Sequence, residues 1–181
     1  MSLPQLLRKL EKTRETYWNI TRETGFFLQD LILTRQYKDA LEIGTSNGYS
    51  ALHLGQALKK TGGQLWTIES NYKKRFPLAQ ANIKESKLKN VHLVLGHAPE
   101  DIPKTPRKFD FAFFDATKKE HLSFFKSLAP RINKGGLIVT DNLDSHRQEL
   151  TPYLKHIKKL PNWHSEEVHI GTGLLLSLKL Q

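Results

Sequence analysis

The segment Ala40-Leu41-Glu42-Ile43-Gly44-Thr45-Ser46-Asn47-Gly48-Tyr49-Ser50 constrains this chain more than any other, because an apolar strand ends on a carboxylate and passes through two glycines into a helix. Such a turn belongs to an open, mostly parallel α/β sheet, where the carboxyl end of the first strand opens on the ligand crevice. Glycine there permits a positive φ and lets a ligand approach the backbone. The feature points to a pocket for a nucleotide-type cofactor.

The rest of the chain repeats this alternation. Tyr49 to Leu58 carries Ala51, Leu52, Leu54 and Leu58 near helical spacing, and Gly62-Gly63 stops the helix. Gln64 to Ile68 reads as a second strand ending at Glu69. Asn71 reads as the N-cap of a helix running toward Lys87, with Pro77 implying a kink or a delayed start. Val91 to Leu95 is a third strand, Lys104 to Lys108 a loop bounded by prolines 103 and 106, and Phe109 to Phe114 a fourth strand ending at Asp115. Glu120 to Ile132 suits a helix near its start, Asn133-Lys134-Gly135-Gly136 a turn, and Leu137 to Thr140 a fifth strand ending at Asp141-Asn142. A helix over Gln148 to Leu160 precedes two strands, Trp163 to Ile170 and Leu174 to Leu180, which Gly171-Thr172-Gly173 joins as a hairpin.

The expected fold is α/β: a Rossmann-like, doubly wound, seven-stranded, mostly parallel sheet with a C-terminal antiparallel hairpin strand. Residues 1–181 suit a single domain, with residues 1–38 as a helical cover of one or two helices. Phe26, Phe27, Leu28, Leu31 and Ile32 form its apolar cluster, which reads as covering the sheet, with a substrate-shaping role for Tyr17 and Trp18 over the crevice as the alternative.

The absence of cysteine excludes disulfides, thiolate metal sites and a cysteine nucleophile, so any metal must be held by oxygen or histidine. No signal-peptide pattern and no 18-residue apolar run occurs, so a cytoplasmic chain without a membrane segment is expected. The net charge of +10 is concentrated in residues 59–90, with eight basic against two acidic residues, and in residues 103–135, with eight against three. Lys59, Lys60, Lys84, Lys87 and Lys89 are expected at helix ends away from the crevice, and Lys118 and Lys119 on its rim. That two-sided pattern reads as a solvated basic exterior, with a functional RNA surface as the alternative.

The chemistry-bearing residues fall at strand ends. Glu69, 27 residues after Glu42, is placed to accept hydrogen bonds from both hydroxyls of a ribose. The turn lacks the three-glycine spacing that seats a pyrophosphate, so a ligand without phosphate fits better. S-adenosylmethionine is such a ligand, with acids available for its ribose and amino group and Ser50 for its carboxylate. Asp115, Asp141 and Asn142 end adjacent strands and offer three oxygens suited to Mg²⁺ or a similar hard cation, although Asp-Asn at a strand end also serves as a turn. His121 and His146 lie near the crevice and read as surface histidines at helix starts, with assistance to a proton transfer as the alternative. Trp163 and His164 read as packing residues, and Leu174-Leu175-Leu176 as core.

Leu41-Glu42-Ile43-Gly44-Thr45-x-x-Gly48-Tyr49-Ser50, Ile68-Glu69, Phe109-Asp110-Phe111-x-Phe113-x-Asp115-Ala116-x-Lys118, Gly135-Gly136-Leu137-Ile138-x-x-Asp141-Asn142 and Gly173-Leu174 occur in this order. Together they resemble the metal-dependent O-methyltransferases, which include catechol and caffeoyl-CoA O-methyltransferases and small bacterial relatives, over about Ile20 to Lys179. The resemblance implies that Glu42 and Gly44 contact the methionine portion of S-adenosylmethionine, Ser50 its carboxylate, Glu69 the ribose, and Gly96, His97 and Ala98 the adenine edge. It places Asp115 with the cofactor as well as among the metal ligands Asp115, Asp141 and Asn142, and Lys118 as general base. A nearby cation and Lys119 would favour the neutral form of that lysine by like-charge repulsion.

The chain departs from this pattern at Thr117, where many members have a second aspartate, at His97, where an acid is common, and at Lys119, which adds a charge. The segment after Asn142 is also short, since Leu143 to Arg147 leads almost directly into the next helix. The implied activity is methylation of a phenolic or catechol-like hydroxyl of a small molecule, dependent on S-adenosylmethionine and a divalent cation. A hydroxylated tRNA nucleoside as acceptor, or a non-catalytic S-adenosylmethionine-binding protein, are the alternatives, and relatives imply a homodimer.

Overall fold

The computed structural model describes residues 1–102 and 108–181, and the expected loop from Lys104 falls mostly outside them. In chain order the elements are α1 (Leu3–Glu11), α2 (Arg14–Tyr17), α3 (Arg22–Arg35), β1 (Asp39–Ile43), α4 (Tyr49–Thr61), β2 (Gln64–Glu69), α5 (Arg75–Ser86) and β3 (Val91–Leu95). They continue with β4 (Phe109–Phe114), α6 (His121–Leu128), β5 (Ile132–Thr140), α7 (Arg147–Ile157), β6 (Trp163–Val168) and β7 (Leu174–Lys179).

The strands form one seven-stranded sheet in the order β3-β2-β1-β4-β5-β7-β6. β3, β2, β1, β4 and β5 run parallel, while β7 lies antiparallel to both β5 and β6. The chain leaves β1 in one direction for β2 and β3, then returns to start β4 on the other side of β1. That reversal opens a crevice at the carboxyl ends of β1 and β4.

Alternate strand residues face opposite sides of the sheet, which makes two cores. Phe111, Phe113, Leu137 and Val139 join Leu28 and Ile32 of α3 and Leu52, Leu54 and Leu58 of α4 on one face. Ala112, Phe114 and Ile138 join Phe124 and Phe125 of α6 and Leu150, Tyr153 and Leu154 of α7 on the other. Of the N-terminal apolar cluster, Leu28 and Ile32 are buried, whereas Phe26 is exposed.

Three features differ from expectation, namely the N-terminal cover, the start of β5 and the N-cap of α5. The N-terminal cover holds three helices rather than one or two, because the single turn α2 is too short to show a periodicity. As expected, a helix occupies the early part of Glu120 to Ile132: α6 ends at Leu128, followed by a 3₁₀ turn over Ala129–Arg131 that contains Pro130. β5 begins at Ile132, since Asn133 to Gly136 continue the strand through a register shift against β4 rather than forming a turn, with Gly135 at φ 76°. The start of α5 is delayed to Arg75, as Pro77 implied, but its N-cap is Lys74 rather than Asn71, which accepts a hydrogen bond from Lys74 N (3.0 Å) in the turn before it. Among the described residues no helix is long and apolar enough to cross a membrane.

Candidate active site

A crevice of about 480 Å³ lies where the topology places it. Ile43, Gly44 and Ser46 after β1, Glu69 and Ser70 after β2, Gly96 to Ala98 after β3, Asp115 to Lys118 after β4 and Asn142 after β5 form its walls. His146 and Glu149 close it from α7, and Tyr17 and Trp18 from the N-terminal cover. The volume is that of a small-molecule or cofactor pocket.

Gly44 is required by two constraints. Its φ is +101°, and a Cβ there would lie 2.2 Å from the carbonyl oxygen of Asp115. This close approach brings the ends of β1 and β4 together, with Asp115 N donating to Ile43 O at 3.0 Å. Glu69 joins the next pair of loops: its Oε2 accepts from Ser46 N (2.7 Å) and its Oε1 from Asn71 N (2.8 Å). Ser46 Oγ in turn donates to Tyr17 O at 2.8 Å, which ties the N-terminal cover to the crevice.

Glu42 and Ser50, expected at the cofactor, are buried behind the wall and do not line it. Glu42 is fully buried, and Thr67 Oγ1 donates to its Oε2 while Oε1 has no partner among the described residues. Burial pushes the Glu42 carboxyl up to about 7, against the Ser50 and Thr67 hydroxyls and with the charges of Asp115 and Glu69 adding to the rise.

The ends of β4 and β5 bring Asp115, Asp141 and Asn142 to one side. Asp141 is buried, and its Oδ1 accepts from Thr172 Oγ1 (2.9 Å). Burial first, and then the charge of Asp115, push its carboxyl up to about 7. Asn142 holds a left-handed φ of 66° and donates from Nδ2 to Ser145 Oγ at 3.4 Å. Lys118 Nζ donates to Asp115 Oδ1 at 3.1 Å, and both side chains are only 15% exposed. Among the described residues no group of three or more His, Cys, Asp or Glu is arranged to hold a metal, so the candidate set is two carboxylates and an amide oxygen.

Neighbouring expectations fare differently. Lys119 points into solvent and does not line the crevice, because the 3₁₀ turn over Lys118–Glu120 turns only Lys118 and Glu120 inward. His121 is fully buried rather than on the surface, with its ring beside Phe114, Phe124 and Tyr153. Burial, and secondly the Lys118 charge, push His121 down to about 3, which keeps it neutral. His146 is exposed on the crevice wall. Trp163 packs against Phe125 as expected, whereas His164 is exposed.

At the β3 end a Cβ on Gly96 would lie 2.3 Å from Asp101 Oδ2, the atom that accepts from His97 N at 2.6 Å. The His97 ring stands between Glu100 (3.1 Å) and Glu120 (3.5 Å), and the Glu100 hydrogen bond is the main cause of its raised pKa. Ser70, Arg75, Glu120, Phe124 and Glu149 complete the wall and carry no motif of their own in the sequence. The signal that could have found them is topological, since each loop after a parallel strand of such a sheet opens on the same crevice.

Residues 1–159 match the model of a protein family described as O-methyltransferase. The chain is 34% identical over 130 residues to the catechol O-methyltransferase of Niastella koreensis, covering 69% of this chain and 58% of that enzyme. It is 34% identical over 149 residues to caffeoyl-CoA O-methyltransferase 2 of Petunia hybrida, covering 77% of this chain and 61% of that enzyme. The matched stretch therefore spans about six-tenths of each of these two relatives. In fold the chain is similar to the Bacillus cereus O-methyltransferase solved in complex with SAH, with a TM-score of 0.87, 23% identity, and coverage of 98% of this chain and 90% of that one.

Proposed function

This chain belongs to the O-methyltransferase family, and we propose that it transfers the methyl group of S-adenosylmethionine to a phenolic or catechol-like ring hydroxyl with the help of a divalent cation, Mg²⁺. The observation that carries this reading is the convergence of Asp115 and Asp141 at the ends of β4 and β5. Burial first, and the Asp115 charge second, raise the pKa of Asp141 beside the crevice. Two carboxylates and the Asn142 amide oxygen form a hard oxygen donor set, and a cation bound there relieves the repulsion between the acids.

When bound, S-adenosylmethionine supplies a methyl group on a sulfonium centre, and the cation favours the oxyanion form of the acceptor hydroxyl. The residues around them would bind and orient. Glu69 spends one lone pair of each oxygen on the Ser46 and Asn71 amides, and a carboxylate has further acceptor capacity for ribose hydroxyls. Gly44 keeps the floor clear of a side chain, and Gly96 to Ala98 face the adenine edge. Glu42 and Ser50 act from behind the wall, where a positive charge bound on the crevice side would favour ionisation of the buried Glu42 carboxyl.

In this reading Lys118 would take the hydroxyl proton at Nζ, which requires its neutral amine form. Its contact in the structure is Asp115 Oδ1, so Nζ and a bound cation compete for one carboxylate. Tyr17 and Trp18 roof the crevice and limit water. Most of the acceleration comes from holding the acceptor oxygen, methyl group and sulfur on one axis.

The test is transfer of labelled methyl from S-adenosylmethionine to a small catechol, with Mg²⁺ and with EDTA. Label in the catechol that EDTA abolishes supports the reading. Cofactor binding with no transfer to any acceptor favours a non-catalytic binding protein.

A further inference from the structure

We propose that Thr172, in the turn between β6 and β7, is a positioning residue for the cation site: its hydroxyl fixes the orientation of the Asp141 carboxylate that the cation meets. The inference rests on the divalent-cation reading of Asp115, Asp141 and Asn142 and adds to it a residue outside that donor set.

Asp141 is buried at the end of β5 and is pinned from two sides. Its backbone N donates to Phe114 O at 3.0 Å, which continues the β4–β5 ladder and fixes its main chain. From the other side, and 31 positions away in sequence, Thr172 Oγ1 donates to Asp141 Oδ1 at 2.9 Å. An ionised carboxylate can only accept, so the hydroxyl is the donor. Rotation of an aspartate carboxyl about its Cβ–Cγ bond is otherwise soft and two-fold. With Oδ1 held by Thr172, the direction of Oδ2 is set as well.

The hydroxyl is itself firmly placed. Leu143 N donates to Gly173 O (2.9 Å) and Asp144 N to Thr172 O (3.0 Å), so the segment that follows Asn142 is bonded to the turn. The turn closes through Gly173 N to Ile170 O at 3.0 Å. Both of its glycines are pressed against neighbours. A Cβ on Gly173 would lie 2.5 Å from Asp144 Cγ, and one on Gly171 would lie 2.4 Å from Thr24 Oγ1 in the first turn of α3. The turn is thus wedged between the ligand segment and the N-terminal cover, and Thr172 is the one side chain in Gly171-Thr172-Gly173.

Closing a hairpin needs the glycines and the backbone bonds, but not this hydroxyl, whose hydrogen bond goes to Asp141 rather than back into the turn. Groups that orient a metal's ligands govern its affinity. Without the hydroxyl, cation binding must also restrict the rotation of Asp141, and Oδ1 is left as a buried acceptor without its donor.

The test titrates Mn²⁺ into wild type, Thr172→Val, Thr172→Ala and Thr172→Ser and reads free Mn²⁺ by electron paramagnetic resonance, with circular dichroism melts to follow folding. Valine keeps the shape of threonine without the hydroxyl, alanine removes the hydroxyl without crowding, and serine keeps the hydroxyl without the methyl group. We expect Thr172→Val and Thr172→Ala to bind Mn²⁺ at least about tenfold more weakly than wild type, and Thr172→Ser to stay within about threefold of it. A residue that served only the turn would shift the melting temperatures without separating serine from the other two in Mn²⁺ affinity. Equal or tighter Mn²⁺ binding by the variants lacking the hydroxyl, or equal weakening by Thr172→Ser, overturns the proposal and leaves the cation site standing. A wild-type protein that takes up no Mn²⁺ overturns the divalent-cation reading and this inference with it.

Discussion

Glu42 and Thr67 are direct partners in the β1–β2 ladder, and the Thr67 hydroxyl donates to Glu42 Oε2 while Oε1 stays without a partner among the described residues. A fully buried carboxyl with half its hydrogen-bonding capacity unmet is costly to ionise. Thr67 Oγ1 also lies 2.5 Å from Thr45 Oγ1, so the acid is linked to the first turn of the crevice loop.

The pH dependence of stability reads this acid. Its folded-state value of about 7 lies above the ordinary 4.5, so between those pH values the folded chain binds the proton more tightly than the unfolded chain does. Stability from this group is full below about 4.5 and lost as pH rises to about 7. Glu42→Gln removes the titration and is expected to gain about 1–3 kcal/mol on the wild type between pH 4.5 and 7. Denaturant unfolding at both pH values checks this, and a constant difference between the proteins contradicts it.

Gly44→Ala should destabilise by at least about 2 kcal/mol. A methyl group at φ +101° must also displace the Asp115 carbonyl, which would separate the ends of β1 and β4. Thermal unfolding of the variant measures the cost, and an unchanged melting temperature would show that this close approach is relaxed in solution.

Glu69 holds Ser46 and Asn71 through two backbone amides and, in the proposed function, the ribose as well. Glu69→Ala is expected to weaken S-adenosylmethionine binding by about 1–3 kcal/mol, through lost charged hydrogen bonds. Glu69→Gln keeps an acceptor and should lose less. Calorimetric titration distinguishes the two, and equal affinity of Glu69→Ala and wild type removes the ribose assignment.

Asp141→Asn keeps an oxygen for the Thr172 hydroxyl but removes a charge from the proposed cation site. Turnover should fall at least about a hundredfold while cofactor affinity stays within about twofold, because the lost role is acceptor activation. Steady-state kinetics beside a cofactor titration separates these effects, and unchanged turnover excludes Asp141 from the site.

The framework of this fold was legible because it rests on local signals. The glycines at 44 and 48 mark a turn that demands positive φ, and both have it. Alternation of apolar runs with helical spacing located every strand of the sheet. Other features depend on contacts distant in sequence. The start of β5 was hidden because Asn133-Lys134-Gly135-Gly136 has turn composition, and only pairing with β4 makes it strand. His121 has the neighbours of a surface residue in sequence, and its burial comes from Tyr153 of α7 closing over it. Trp18 and Arg75 are 57 positions apart, so nothing local reveals that they stack. Strand-end acids were found for the same reason as the fold, whereas the burial of Glu42 and Ser50 behind the wall is a tertiary fact.

The central claim is that Asp115, Asp141 and Asn142 hold one divalent cation, and titration of Mn²⁺ followed by electron paramagnetic resonance tests it without reference to any acceptor. The account predicts one Mn²⁺ per wild-type chain, displaced by Mg²⁺ and lost in Asp141→Asn. A wild-type protein that takes up no stoichiometric Mn²⁺, or an Asp141→Asn variant that binds it equally well, would contradict it.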